Sequence, residues 1–178
     1  KKQAFTALFI AVIAMILYIA FAFRKIPQSI GPWRFGVTAI FALLHDVLIA
    51  STFYIIIGHF FGAEIDTLFI TAMLTVIGYS VNDTIIIYDR IRENLKYQKR
   101  GDTFGQIANR ALNETMARSV NTTLSTLSTI IALLIFGSAS IKHFVLALIL
   151  GIFLGAYSSI CIASPILVLW HQSTKKQN

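Results

Sequence analysis

The residues that could do chemistry in this chain are two aspartates lying inside long apolar stretches. Asp46 follows His45 about a dozen residues after Arg34, and Asp83 closes the run Gly-Tyr-Ser-Val-Asn-Asp that begins at Gly78. An ionisable group inside a bilayer is costly, so it usually faces the interior of a helical bundle or a water-filled cavity. Burial disfavours an ionised carboxylate and a nearby cation favours it. We therefore expect Asp83, with a cation nearby, to form a proton site, and Asp46 with His45 to form a second polar site.

A cation that could balance Asp83 opens a later apolar stretch. Four polar residues there share one helix face, because they are spaced by four, three and four positions: Arg118, Thr122, Ser125 and Thr129. A polar face on a membrane helix is expected to contact protein or water. We expect it to line a cavity, with Arg118 near the carboxylate. The alternatives are hydroxyls that bond their own helix carbonyls or join helices, and a fixed ion pair.

Motifs of common enzymes and metal sites are missing from the sequence. There is no phosphate-binding GxxxxGK[ST], no HExxH and no GxSxG, and the single Cys161 leaves no thiolate cluster. Two buried aspartates admit one enzyme, an intramembrane aspartyl protease whose carboxyls share a proton. Such proteases carry Gly-x-Gly-Asp where this chain reads Ser-Val-Asn-Asp at Ser80 to Asp83, and Arg118 would oppose the shared proton. We expect no enzymatic activity, no metal and no cofactor.

The elements that position these residues are apolar helices. Hydrophobic residues make up 56% of the 178 residues and charged residues 13%, and the mean hydropathy is +0.73. Soluble domains are about one quarter charged. Enough apolar residues are present to cover every face of each helix. This composition excludes a typical soluble enzyme and a disordered segment.

Five stretches are long enough to cross a bilayer, whose apolar core of about 30 Å needs roughly 20 helical residues. They are residues 4–23, 33–57, 67–88, 118–136 and 143–170. We expect residues 89–117 to extend the third span and, beyond Gly101, to form an amphipathic helix at the membrane surface, against partner helices or in solvent. Residues 175–178 form a tail. The predicted fold class is an all-α membrane protein, with one transmembrane domain over residues 1–174: a polytopic bundle of five helices with a cytoplasmic amphipathic helical loop.

The last span carries two glycines four residues apart, Gly151 and Gly155. Small residues at this spacing let two helix backbones approach closely. We therefore predict a helix-contact face there, and we expect Pro165 to bend or end the same helix.

The basic residues are unequally divided between the two sides of the predicted bundle. Three of the 15 Lys and Arg residues, Lys1, Lys2 and Lys142, fall on one side. Twelve fall on the other: Arg24, Lys25, Arg34, Arg90, Arg92, Lys96, Lys99, Arg100, Arg110, Arg118, Lys175 and Lys176. Lys and Arg concentrate in cytoplasmic loops, so the C-terminus is predicted inside and residue 1 outside. The net charge of +7 then reports topology and not nucleic-acid binding, and the start outside predicts an earlier span.

Three groups of motifs resemble the SecF family of bacterial protein-export membrane subunits. They are residues 76–84 with 89–94, residues 43–46, and residues 113–115 with 118–119 and 121–123. The resemblance covers essentially the whole chain. It implies the last five spans of a SecF, or of a fused SecDF, within the resistance-nodulation-division superfamily of proton-driven membrane proteins.

The resemblance also implies a function and partners. SecF works with SecD, as a separate chain or a fused half, and with the SecYEG channel, using the proton motive force to draw preproteins across the bacterial cytoplasmic membrane. The implied coupling ion is H⁺, with Na⁺ as an alternative, and the surroundings are membrane lipid. A proton-driven exporter of small molecules or lipids from the same superfamily is the alternative function, and a purely structural membrane scaffold is a third.

Residue by residue, the resemblance assigns roles to part of the chain. Asp83 matches the family aspartate proposed to carry protons, Arg118 matches its paired arginine, and Asp46 matches the family's span-three aspartate. Gly78 and Asn82 belong to the same motif as Asp83. From the residue patterns alone, the predicted polar lining adds His45, Thr122 and Ser125.

Overall fold

The computed structural model describes residues 2–23, 31–62 and 64–175. Six α-helices form the described part: α1 (Lys2–Ala22), α2 (Pro32–Phe61), α3 (Thr67–Lys96), α4 (Phe104–Phe136), α5 (Lys142–Ser158) and α6 (Ser164–Lys175). A 3₁₀ turn at Ala139–Ile141 leads into α5, and a π-helical turn at Ser159–Ala163 joins α5 to α6. The all-α bundle predicted from the sequence is confirmed.

Four helical stretches are long and apolar enough to cross a membrane. They are Trp33–Phe60, Thr67–Lys96, Phe104–Phe136 and Ala139–Thr174, the last running through α5 and α6. Helix α1 adds a shorter apolar stretch, Phe9–Ile19. The predicted first span was to end at Arg24, Lys25 and Pro27, which lie outside the described residues, as do Lys1 and Lys176 of the charge count.

Local signals define where the helices around the site begin. The side chain of Asp66 accepts a hydrogen bond from the backbone N–H of Phe69 at 2.8 Å and caps α3. Thr103 and Gln106 form a reciprocal capping box at the start of α4. Each cap satisfies backbone N–H groups that the first helical turn leaves unpaired. Consequently α3 and α4 are joined by only the short segment 97–103.

Residues 89–117, predicted as a helical loop, form the end of α3, a turn and the beginning of α4. Helix α3 continues to Lys96, and α4 is continuous from Phe104 into the fourth span. The apolar face of the new helix is buried at Phe104, Ile107, Ala108 and Ala111. This face therefore packs against other helices of the bundle, and its place at the membrane surface stays a prediction. We call this end of the bundle, with residues 89–96 and 102–114, the charged end.

Helix α3 lies at the centre of the bundle, between α5, α4 and α2. The predicted glycine face is confirmed, because Gly151 lies against Val76 and Gly155 lies against Ser80. A Cβ built on Gly151 would lie 2.2 Å from Cγ2 of Val76, and one on Gly155 would lie 2.9 Å from Cβ of Ser80. Only glycine permits helices α3 and α5 to approach this closely.

Pro165 does not end the last helix, which continues to Lys175. A proline inside an α-helix clashes with the carbonyl four residues earlier and lacks an N–H. Here a π-helical turn ends at Ala163, two residues before Pro165, and a π turn widens the helix locally. The Ser164 hydroxyl donates to the carbonyl of Ser159, five residues back, at 3.1 Å.

Candidate functional site

A polar seam runs between α3 and α4 and defines the register of the two helices. The Tyr79 hydroxyl donates to Oγ1 of Thr123 at 3.3 Å. At the charged end, Asn94 Nδ2 donates to Oε2 of Glu114 at 2.8 Å. In these two contacts the higher residue number on α3 pairs with the lower one on α4. The helices are therefore antiparallel, and each residue of the seam faces an identifiable position on the other helix.

Asp83 lies opposite Ser119 in this seam. Asp83 is four residues beyond Tyr79, and Ser119 is four residues before Thr123, so all four occupy the facing sides of the two helices. Both residues are only 2% exposed. In the described part of the chain, neither Oδ2 of Asp83 nor Oγ of Ser119 has a hydrogen-bond partner. The site therefore places a buried carboxyl oxygen and a buried hydroxyl on the facing sides of α3 and α4.

Arg118 is near this pair but does not form an ion pair with it. Its side chain is exposed, and the described residues contain no Asp83–Arg118 contact within 4.0 Å. The charge of Arg118 still interacts electrostatically with Asp83, but more weakly than the Ser119 side chain does. Successive residues of a helix are about 100° apart, so the buried Ser119 faces α3 more directly than the exposed Arg118 does. The predicted pairing of Arg118 with Asp83 stays a prediction.

The polar face predicted on α4 lies on the outside of this chain. Thr122 and Ser125 are exposed. Thr122 donates to the carbonyl of Arg118 at 2.8 Å, and Thr129 donates to the carbonyl of Ser125 at 3.1 Å. These are the bonds to the helix's own carbonyls that the sequence left open as an alternative. The role of Thr122 and Ser125 as a lining stays a prediction.

The buried polar stripe of α4 is instead displaced by one residue from the predicted face. It contains Thr115, Ser119 and Thr123. This stripe was not predicted, because the polar face was chosen to include Arg118. The signal was present, since Ala111, Thr115, Ser119 and Thr123 are small or hydroxylated residues at a strict spacing of four, as expected of a closely packed membrane helix face.

Asp46 forms a second polar site, in which both carboxyl oxygens have hydrogen-bond partners. Its Oδ2 accepts hydrogen bonds from the hydroxyls of Ser80 on α3 at 2.5 Å and Ser158 on α5 at 2.6 Å. Nδ1 of the partly exposed His45 lies 3.1 Å from Oδ1. Asp46 itself is 0% exposed. This carboxylate joins three helices, through serines that the sequence reasoning had not assigned to a site.

A chain of hydroxyls continues from α3 toward the charged end. Thr84 and Ser159 are joined by their hydroxyls at 2.8 Å. The Tyr88 hydroxyl lies 2.8 Å from Oγ1 of Thr38 and donates to the carbonyl of Ala163 at 2.9 Å. The Thr84–Ser159 and Tyr88–Ala163 contacts both reach the π-helical turn. One face of α3 thus packs against the irregular part of the last helix, and the neighbouring face carries Asp83.

Gly78 and Asn82 lie on the open side of α3. Both are exposed, and no atom lies within 4 Å of a Cβ built on Gly78. The structure therefore places these two motif residues away from Asp46, on a surface that this chain leaves uncovered.

Ion pairs tie α3 to α4 at the charged end, outside the predicted spans. Arg90 contacts Glu93 at 2.5 Å and Glu114 at 2.6 Å. The hydrogen bond from Asn94, followed in size by the one from Arg90, holds the pKa of Glu114 below its usual range. These contacts fix the register of the two helices below the Asp83–Ser119 pair.

Metal binding has no support in the part of the chain that the structure describes. No group of three or more His, Cys, Asp or Glu side chains there could hold a metal ion. The polar side chains around Asp46 carry carboxyl, hydroxyl and imidazole groups.

The fold and the site together define a multi-pass membrane protein that buries two carboxyl groups among its helices, one satisfied and one not. The chain belongs to the family described as protein export membrane protein SecD/SecF, C-terminal, whose model matches residues 1–173. This confirms the resemblance seen in the sequence motifs.

Individual relatives agree with the family. The protein translocase subunit SecF of Thermobaculum terrenum is 50% identical over 170 residues, covering 96% of this chain and 52% of the relative. SecF of Anaerolinea thermophila is 43% identical, covering 94% of this chain and 54% of the relative. A crystal structure of SecDF from Thermus thermophilus, described as a translocon-associated membrane protein, matches with a TM-score of 0.83 and 40% identity over 95% of this chain and 22% of that one. The chain spans about half the length of the SecF relatives it matches.

Proposed function

We propose that this chain is the membrane part of an accessory subunit of the Sec protein translocase that uses the proton motive force to assist preprotein export. Its partners are a SecD half, separate or fused, the SecYEG channel and the translocating preprotein. Its role is conformational and not enzymatic. The names of the relatives support this assignment, and they do not favour the alternative, a small-molecule or lipid exporter.

The observation that carries the proposal is Asp83, a buried carboxyl with an unpaired oxygen between two membrane helices. A carboxylate with fixed partners has one preferred state. A carboxyl without them changes its interactions when it gains or loses a proton. Asp83 therefore serves as the proton site, and its protonation shifts α3 against α4.

The available energy suffices for such a shift. One elementary charge moved across 100 mV is worth about 2.3 kcal/mol, and one unit of pH difference adds about 1.4 kcal/mol. A proton can then bias a two-state equilibrium by a factor on the order of a hundred.

The orientation follows from the unequal distribution of Lys and Arg. The charged end lies on the cytoplasmic side of the bacterial cytoplasmic membrane, with the C-terminus inside. A proton driven by the gradient thus enters from the side where α1 begins and leaves toward the charged end.

The test replaces Asp83 by Asn in the intact parent protein, in vesicles that lack the native copy. We expect the gradient-dependent part of preprotein export to disappear while complex assembly survives, because Asn cannot take up a proton. Glu64→Gln is the control, since Glu64 is an exposed carboxyl outside the helices. Full gradient dependence in Asp83→Asn contradicts the proposal, and abolition by a sodium ionophore but not by a protonophore replaces H⁺ by Na⁺.

A further inference from the structure

We propose that Ser119 is the positioning residue for the proton on Asp83: its hydroxyl donates to the ionised carboxylate and accepts from the protonated carboxyl. This inference rests on the proposed function, in which Asp83 is the proton site. It assigns Ser119 as the direct hydrogen-bond partner of Asp83, and Arg118 as a positive charge that acts on Asp83 from a greater distance.

The register of the seam carries the assignment. Tyr79 is bonded to Thr123 on one side of the pair, and Asn94 is bonded to Glu114 on the other. Between these two fixed contacts, Asp83 and Ser119 are buried on facing helix sides with their oxygens unpaired. A buried hydroxyl and a buried carboxyl left without partners are costly, so a small shift of α3 against α4 that joins them is favourable.

Other groups around α3 are engaged elsewhere or are more distant. On α2, His45 and Asp46 interact with each other, and Asp46 is held by Ser80 and Ser158. At the charged end, Arg90 and Glu114 are paired. Of the charged groups that the structure describes, Arg118 is the one that acts on Asp83, and its side chain is exposed.

A serine hydroxyl suits this task because it is both donor and acceptor and can rotate. When Asp83 is ionised, the Ser119 O–H donates to Oδ2. When a proton is added to Oδ2, the Asp83 O–H donates to Oγ, and Ser119 keeps its own proton and turns it away. The hydrogen bond thus reverses with each proton bound or released, and no other atom is exchanged.

The experiment is an infrared titration of the full-length parent protein in lipid vesicles, in which Asp83→Asn identifies the carboxyl band of Asp83. In Ser119→Ala we expect that band to move to higher wavenumber, since the protonated carboxyl loses its acceptor. We also expect half-protonation at a pH about one unit higher, a tenfold change in proton affinity, because a bond donated to an ionised group is roughly twice as strong as one between neutral groups.

Two comparison variants complete the test. Ser119→Thr keeps the hydroxyl and is expected to keep the parent band, while Ser128→Ala removes an exposed hydroxyl of the same helix and should leave the band unchanged. An unchanged band and midpoint in Ser119→Ala overturn the assignment of Ser119 alone. A parent protein with no titrating band at Asp83 overturns the proposed function as well.

Discussion

At the scale of single residues, Asp46 and Asp83 show how one side-chain type acquires different properties from its surroundings. Both are buried in the bundle, Asp46 among α2, α3 and α5 and Asp83 between α3 and α4. Asp46 accepts bonds from two serines, whereas Oδ2 of Asp83 has no partner among the described residues. A satisfied buried carboxylate rigidifies its surroundings, and an unsatisfied one is an energetic liability that is retained for a reason. The contrast favours Asp83 as the mobile proton site, and a coupling role for Asp46 stays a prediction.

We predict that Asp46 and Ser158 stabilise the fold jointly. Hydrogen bonds to charged groups contribute about 1.5 to 3 kcal/mol, so Ser158→Ala should cost roughly that in the parent and much less in an Asp46→Asn background. Unfolding of the purified full-length protein, followed for the four members of the double-mutant cycle, measures this coupling. Additive effects would show that the 2.6 Å contact contributes nothing of its own.

At the scale of helices, the sequence was sufficient for the all-α bundle and for one contact face, but not for the pairing of polar groups. Apolar runs predicted long apolar helices, and the spacing of Gly151 and Gly155 predicted close packing, because both signals are local. The partner of Asp83 depends on how α4 is rotated against α3. A rotation of one residue, about 100°, exchanges the Arg118 face for the Ser119 face, and composition alone does not distinguish them.

We predict that Gly151→Ala destabilises the bundle. The added Cβ would lie 2.2 Å from Cγ2 of Val76, so α3 and α5 must separate, and overpacking of this kind costs about 1 to 3 kcal/mol. Gly36→Ala is the matched control, because its Cβ would lie at an ordinary 3.7 Å from Ile19. The midpoint of thermal unfolding should fall for the first variant only; equal midpoints would mean that the close α3–α5 approach is not needed.

At the scale of the whole molecule, the chain leaves a polar surface uncovered. Gly78 and Asn82 on α3, with Arg118, Thr122 and Ser125 on α4, are all exposed. Such a surface in a bilayer is expected to meet protein or water. The SecF relatives are about twice as long as this chain. Under the proposed function, we expect the SecD half to cover this surface, one helix face away from Asp83.

The central claim is that Asp83 binds and releases the proton that drives the subunit, and proton movement itself tests it most directly. The measurement is proton entry into vesicles that carry the full-length subunit with SecD and SecYEG, followed with an internal pH-sensitive dye while a preprotein is translocated under an imposed gradient. The account predicts that preprotein-dependent proton entry is lost in Asp83→Asn and kept in Glu64→Gln. Undiminished proton entry in assembled Asp83→Asn complexes would contradict it and would move the proton site to another residue.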